Sequence, residues 1–473
     1  MDMRVLGLLK NLRHLYLSQQ SFLIQERGFE PLENLKRLEV LRIQNSDILG
    51  LPVVARLPAL RDLEISDSRL VALPAFPPDA RIRSLNASGN FIASLEPLRG
   101  LGQLELLDLE SNLIENLDPI STLHGLRFLD LGANPIRDAS LLGSLPVLEV
   151  LHLNQTEIVD GAPLGKLTQL RQLGLMGLSG LSDFRFLAGL NRLEGLWLGA
   201  TGVSDISWLS DLVQLRTLDL SGNPVLNPEW IAGLKELRLL RLSTVAPSSA
   251  LEFMGRLSAL EELMLSGADF PSLAPLKTLS NLRILSIQHS NLRALEGLGS
   301  LTKLTHLVLS NNRLEDTRAF AGVHLPELRH LDLSRNRLTE LVSLRGLGPL
   351  ESLGVSYNPI SDLGGIEEFS KLSWLDLAGT QVMHLSPLPP EAPLEEVRIQ
   401  ETQIRFILPL LAYAPTLKRL AAQRLPLDDW ENLLQLTKLE RLMVRVPSGK
   451  TPLEFLVFME AHPNASSLHI GMD

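Results

Sequence analysis

Leucine recurs along this chain in two superposed rhythms. Within a nine-residue phrase, L-x-x-L-x-L-x-x-(N/T/S), leucines at the fourth and sixth positions alternate with variable residues at the third, fifth and seventh. That period of two predicts a short strand with one face buried and the other facing out. After each strand the apolar spacing lengthens to three. Ile114, Leu117, Ile120 and Leu123 show it, as do Val203, Ile206, Leu209 and Leu212, and Ile360, Leu363, Ile366 and Phe369. Side chains three apart eclipse in a 3₁₀ helix, so the return path is expected to run through 3₁₀ turns. The phrase begins twenty-one times from Leu12 onward, at intervals of 22 to 24 residues except for 26 at the first and last. A unit this short cannot bury an apolar side alone, and neighbours must stack to make one continuous core.

Repeated phrases such as Leu104-Glu-Leu-Leu107-Asp-Leu109-Glu-Ser-Asn112-Leu-Ile114 resemble the leucine-rich repeat family along essentially the whole chain. The repeat length is similar to the 22-residue subtype of internalins and protein phosphatase 1 regulatory subunits. The resemblance implies an α/β repeat solenoid, curved, with a long parallel sheet on its concave face and 3₁₀, extended and short helical segments on its convex face. Residues 1–473 are expected to form a single domain of about 21 repeats. The proline-rich segments 74–80 and 387–393 are expected to be extended structure on the convex side.

The ninth position of the phrase is Asn, Thr or Ser in fourteen repeats, including Asn90, Asn112, Asn134, Asn223, Asn312, Asn336 and Asn358. A buried polar side chain there must bond to neighbouring backbone, which predicts a ladder along the stack. Leu178, Val245, Ala268 and Leu425 interrupt it, and irregular backbone is expected near them, above all between Leu242 and Leu257. The charged residues at the second position, Arg61, Glu105, Arg127, Glu149, Arg216 and Glu261 among them, are expected to form a solvated charge ladder.

Composition narrows the chemistry. A net charge of −10 argues against general binding to nucleic acid or to anionic membranes, both of which need a positive field. With no cysteine, thiolate nucleophiles, thiolate zinc sites and the disulfide caps of extracellular relatives are excluded. The five-residue apolar run Val5–Leu9 is too short for a secretory signal, and a cytoplasmic location is the expectation. The chain enters its first strand by residue 12 and ends in its last, so a partner or a second copy is expected over one end, with segments 18–37 and 446–464 as helical cover.

No catalytic motif emerges. Gly449-Lys450-Thr451 imitates the end of a phosphate-binding loop, but Val444 stands where the first glycine belongs. His306 and His330 occupy the same position in consecutive repeats, with Asp332 and His289 nearby, and a metal-assisted enzyme centred on them is one alternative. The outward positions carry more information. Asp62, Glu64, Asp67, Asp108, Glu110 and Asp130 make an acidic stretch; Met176, Trp197, Met264 and Val308, with His306 and His330, give an apolar and aromatic middle. Tyr357 and Trp374 follow, then Arg398, Arg419, Arg424, Arg441 and Arg445. Trp, Tyr and Arg dominate binding energy at interfaces. The expected function is therefore a non-catalytic scaffold that needs no cofactor and grips another protein on the concave face. A dedicated regulator of one enzyme (an inhibitor, an immunity protein or a phosphatase-type regulatory subunit) is the second alternative. Trp208, Trp230 and Trp430 fall outside the strand phrase and are assigned to packing on the convex side.

Overall fold

The computed structural model describes residues 3–18, 26–77, 79–243, 248–315, 317–447 and 449–472. They form two compact units, Met1–Leu237 and Arg238–Asp473. In the first unit parallel strands of three to five residues run from His14–Ser18 to Thr217–Leu220, each pairing with the next repeat. In the second they run from Leu239–Ser243 to His469–Met472. Each ladder is open and keeps equivalent positions side by side, as Leu107↔Leu129 and Leu129↔Leu151 illustrate. Those three leucines are fully buried. Each unit is thus a parallel-sheet repeat solenoid.

The return path is built as the spacing of three predicts. Ile120 and Leu123 are buried in and just after the 3₁₀ turn Asp118–Thr122, and Leu209 and Leu212 repeat the arrangement around Ser207–Asp211. A carboxylate two residues ahead starts many of these turns: Asp160 Oδ1 accepts the Ala162 N–H at 2.9 Å, and Asp183 and Asp205 do the same for Arg185 and Ser207. Short polar side chains of this kind mimic a backbone turn and hold the chain's reversal.

The ninth-position ladder exists. Asn112 donates through Nδ2 to the carbonyls of Ala87 and Leu109 at 2.9 and 3.0 Å and accepts the Ile92 N–H at 2.9 Å. Asn90, Asn134, Asn312 and Asn358 make the same set of bonds. At Leu178 the turn survives on backbone alone, Leu178 N–H to Leu175 O at 3.4 Å, and strand register continues unbroken from Leu151 through Leu173 to Leu196. The expected irregularity is therefore absent from the strand pairing there. Val245 lies outside the described residues. The second-position charges pair across repeats, with Arg83 to Glu105 at 3.0 Å, Arg238 to Glu261 at 3.1 Å and Arg329 to Glu351 at 2.8 Å. These pairs are solvated, and each contributes only about 0.2–1 kcal/mol.

On the return side, Trp208 stacks on Phe184 and donates through Nε1 to Asp205 O. Trp430 packs on Phe455 and Phe458 of the helix Pro452–Met459. Trp230, expected to pack, is instead 43% exposed. Thr451 and Glu454 cap that helix reciprocally, so the Gly-Lys-Thr run ends in a side-chain cap, not a phosphate cradle. Within segment 18–37, the residues Glu26–Asn34 form a 3₁₀ helix. No helix of the described residues is long and apolar enough to cross a membrane.

Candidate functional site

The outward residues of the strands lie in straight columns, because in-register parallel pairing sets equivalent positions about 4.8 Å apart. In the first unit the fifth-position column reads Glu64, Asn86, Asp108, Asp130, His152, Gly174, Trp197 and Asp219. Its acidic part is less bare than the sequence suggests. Arg42 reaches Asp62 at 3.2 Å and Glu64 at 3.4 Å while lying over the ring of Tyr16. Asp67 and Glu110 remain exposed. Asp108 accepts from Asn86 Nδ2 at 3.0 Å and from the Glu110 N–H at 3.2 Å. Burial pushes its carboxyl up to about 6, helped by the charges of Asp130 and Glu110.

Farther along, Asp130 binds His152 Nδ1 at 3.0 Å, and His152 stands edge-on between Phe128 and Trp197 with ring centroids 5.8 and 6.1 Å away. Trp197 reaches His152 across an intervening strand because that strand carries Gly174 in the column. Gly195 completes the cradle, since a Cβ there would stand 2.6 Å from the indole. Met176 lies beside Gly199 in the next column. The indole is therefore seated on a bare patch of sheet and braced by an imidazole that a carboxylate holds.

In the second unit Met264 takes the Arg241 guanidinium against its sulfur at 3.3 Å, and Val308 sits between Ser286 and Asp332. His306 and His330 are adjacent as expected, but they stack face to face at 4.3 Å with an interplanar angle of 20°. Burial lowers the pKa of His306, and the neighbouring His330 adds to the effect. Thr305 Oγ1 lies 2.9 Å from His306 Nδ1. Stacked faces do not aim ring nitrogens at a common point, and among the described residues no three His, Asp or Glu side chains gather as metal ligands. The metal-assisted arrangement around His306, His330, Asp332 and His289 is not formed.

Tyr357 seats itself as Trp197 does. A Cβ on Gly379, one repeat on, would meet its ring at 2.5 Å, while Arg335 lies over the ring at 4.3 Å and the hydroxyl stands 3.5 Å from Glu401 two repeats away. Arg424 closes this row with a 2.6 Å bond to Glu401. Trp374 carries the Arg398 guanidinium over its ring at 5.4 Å. Arg398 and Arg419 share the buried Glu396 carboxylate, Nε to Oε1 at 2.7 Å and Nε to Oε2 at 2.5 Å. Burial alone would raise that carboxyl, and the two guanidinium hydrogen bonds outweigh it and hold it low. Arg441 and Arg445 are exposed on the next strand and its continuation. Residue-by-residue reading missed Arg42, Phe128, Arg335, Glu396 and the cradling glycines. Their signal was present as Gly at outward positions beside an aromatic, and as Glu directly before a column of Arg.

Family models agree with this architecture. Residues 302–360 and 214–234 match models described as leucine rich repeat, and residues 280–322 match a two-copy leucine rich repeat model. The chain carries leucine-rich repeats. No curated protein matches it in sequence. Solved structures similar to this leucine-rich repeat protein share its fold at low identity. An internalin of Listeria monocytogenes is 22% identical, with a TM-score of 0.56 over 75% of this chain and 94% of that one. A leucine-rich repeat protein of Leptospira interrogans is 22% identical, with a TM-score of 0.52 over 96% and 99%. The Arabidopsis receptor kinase HAESA, solved with a peptide hormone and a co-receptor, is 20% identical, with a TM-score of 0.58 over 92% and 74%.

Proposed function

We propose that this leucine-rich repeat protein is a non-catalytic scaffold that binds another protein through the outward face of its strands. The observation that carries this reading is the seating of large side chains on that face. Trp197 lies against Gly195 and reaches across the strand of Gly174 to His152, and Tyr357 lies over Gly379 under Arg335. Aromatic and Arg groups held in fixed poses lose little freedom when a partner docks, which favours affinity. The HAESA structure, whose partners are a peptide hormone and a co-receptor, supports the reading by analogy of fold. Asp67 and Glu110 in the first unit and Arg398, Arg419, Arg424, Arg441 and Arg445 in the second would supply steering and register.

Affinity purification from the native host, followed by affinity measurement on the recovered partner, tests the proposal. Trp197→Ala and Arg419→Glu are each expected to weaken capture by about tenfold or more, the range for loss of an interface anchor. Retention of the same partners at the same strength by both variants would show that the strand face is not the binding surface.

A further inference from the structure

The second unit holds a depression on its strand face whose chemistry is unusually one-sided. It spans the strands Glu396–Arg398, Arg419–Ala422 and Arg441–Val444 and encloses about 520 Å³. Ala421 makes it: the outward residue opposite it is Arg398 on one side and Met443 on the other, so a methyl group forms the floor between two long walls. Arg419 and Arg441 stand side by side along one rim, and Gln400 and Gln423 line the other.

The walls are arranged to receive an anion. Glu396 engages Arg398 and Arg419 only through their Nε atoms, which fixes both guanidinium planes and leaves the terminal amino groups available. Arg441 has no carboxylate partner among the described residues, so three guanidinium groups face one carboxylate in this depression. The rim of amides adds a second requirement. The Oε1 atoms of Gln400 and Gln423 are buried without a hydrogen-bond donor, a state that folded proteins ordinarily avoid. An occupant that satisfies the whole depression therefore brings an anionic group for the arginines and N–H donors toward which the two buried amide oxygens can turn. An inorganic anion or the backbone of a DNA strand, which has no donor, brings only the first. An extended peptide with acidic side chains brings both, because along a strand the backbone N–H groups and the side chains project from the same short stretch.

We propose that this depression is a receptor for a carboxylate side chain, and that the partner protein enters it with an extended acidic segment. The proposal rests on the scaffold reading above and assigns one anchoring point to it. Arg441 and Arg419 would take the carboxylate in the forked geometry that guanidinium groups favour, and Gln400 and Gln423, on turning their buried oxygens into the depression, would accept from the segment's backbone.

The test uses the full chain and a short fluorescein-labelled peptide of alternating Glu and Gly, followed by anisotropy. A matched Gln and Gly peptide and a short oligothymidylate serve as competitors for the assignment. The Glu peptide is expected to bind, and the Gln peptide to bind about tenfold more weakly or worse, as expected when a charged partner is lost from a desolvated pair. Ala421→Trp, which fills the floor, and Arg441→Gln, an exposed change that leaves the core untouched, are each expected to weaken the Glu peptide by a similar factor. Absence of Glu-peptide binding, binding by both variants as tight as by the parent chain, or equal binding of oligothymidylate would each overturn the assignment. If Trp197→Ala loses the native partner while Ala421→Trp and Arg441→Gln keep it, the scaffold stands and this receptor falls.

Discussion

Asp108 shows how an outward position becomes a titrating one. Its carboxyl is pushed up to about 6 by burial, whereas in an unfolded chain it titrates near ~3.9. The folded chain therefore holds this proton more tightly than the unfolded one. Stability contributed by that preference is present at low pH and is lost as pH rises from about 4 to about 6. Asp108→Asn keeps an amide oxygen for the Glu110 N–H and cannot ionise. Its melting temperature relative to the parent chain is expected to rise progressively between pH 4 and pH 7. A difference that stays flat across that range, measured by calorimetry, would remove burial as the controlling effect. Gly195 beside Trp197 acts at the same scale: it contributes by what it lacks, leaving room for a ring that a Cβ would displace.

At the scale of the element, the repeating unit contains a conformation that leucine spacing does not announce. The eighth residue of the phrase has a left-handed backbone in repeat after repeat, with φ of 57° at Ser111, 51° at Ala133, 57° at Gln155 and 54° at Tyr357. Neighbours impose it. The N–H of each of these residues bonds to the next repeat, as in Ser111 to Gly132 O at 2.8 Å and Ala133 to Asn154 O at 2.7 Å. Such a torsion costs a non-glycine residue on the order of 1 kcal/mol or more. Ala133→Gly is therefore expected to raise the urea midpoint or leave it unchanged, against the usual loss for such a change, while Ala139→Gly, at a buried site without this torsion, lowers it. Strands, 3₁₀ returns and the Asn ladder were legible in the sequence because each rests on a fixed period of buried groups. The left-handed row was not, since Asp, Ser, Ala, Gln, Tyr and Arg occupy it beside Gly. The metal alternative failed for a related reason: adjacency of His306 and His330 was readable, but the stacking of their rings depends on side-chain torsions that spacing leaves open.

At the scale of the whole molecule, the outward charges are shared between the two units. Exposed carboxylates such as Asp67 and Glu110 belong to the first unit, and the arginines from Arg398 to Arg445 belong to the second. Exposed charges act mainly on encounter, and salt screens them. Raising ionic strength from about 0.05 to 0.5 M is expected to slow association with the partner by about tenfold or more while changing dissociation little. Stopped-flow mixing reads both rates, and an association rate indifferent to salt would exclude steering.

The in-register ladders also have a mechanical meaning. Each strand is bonded only to its immediate neighbours, and the Asn side chains tie one layer to the next. Under tension such a stack has no distant clasp to share the load, so it yields layer by layer from an end. Every 22-residue layer released adds about 75 Å of slack at full extension. Either unit is in that sense a spring that lengthens in equal increments.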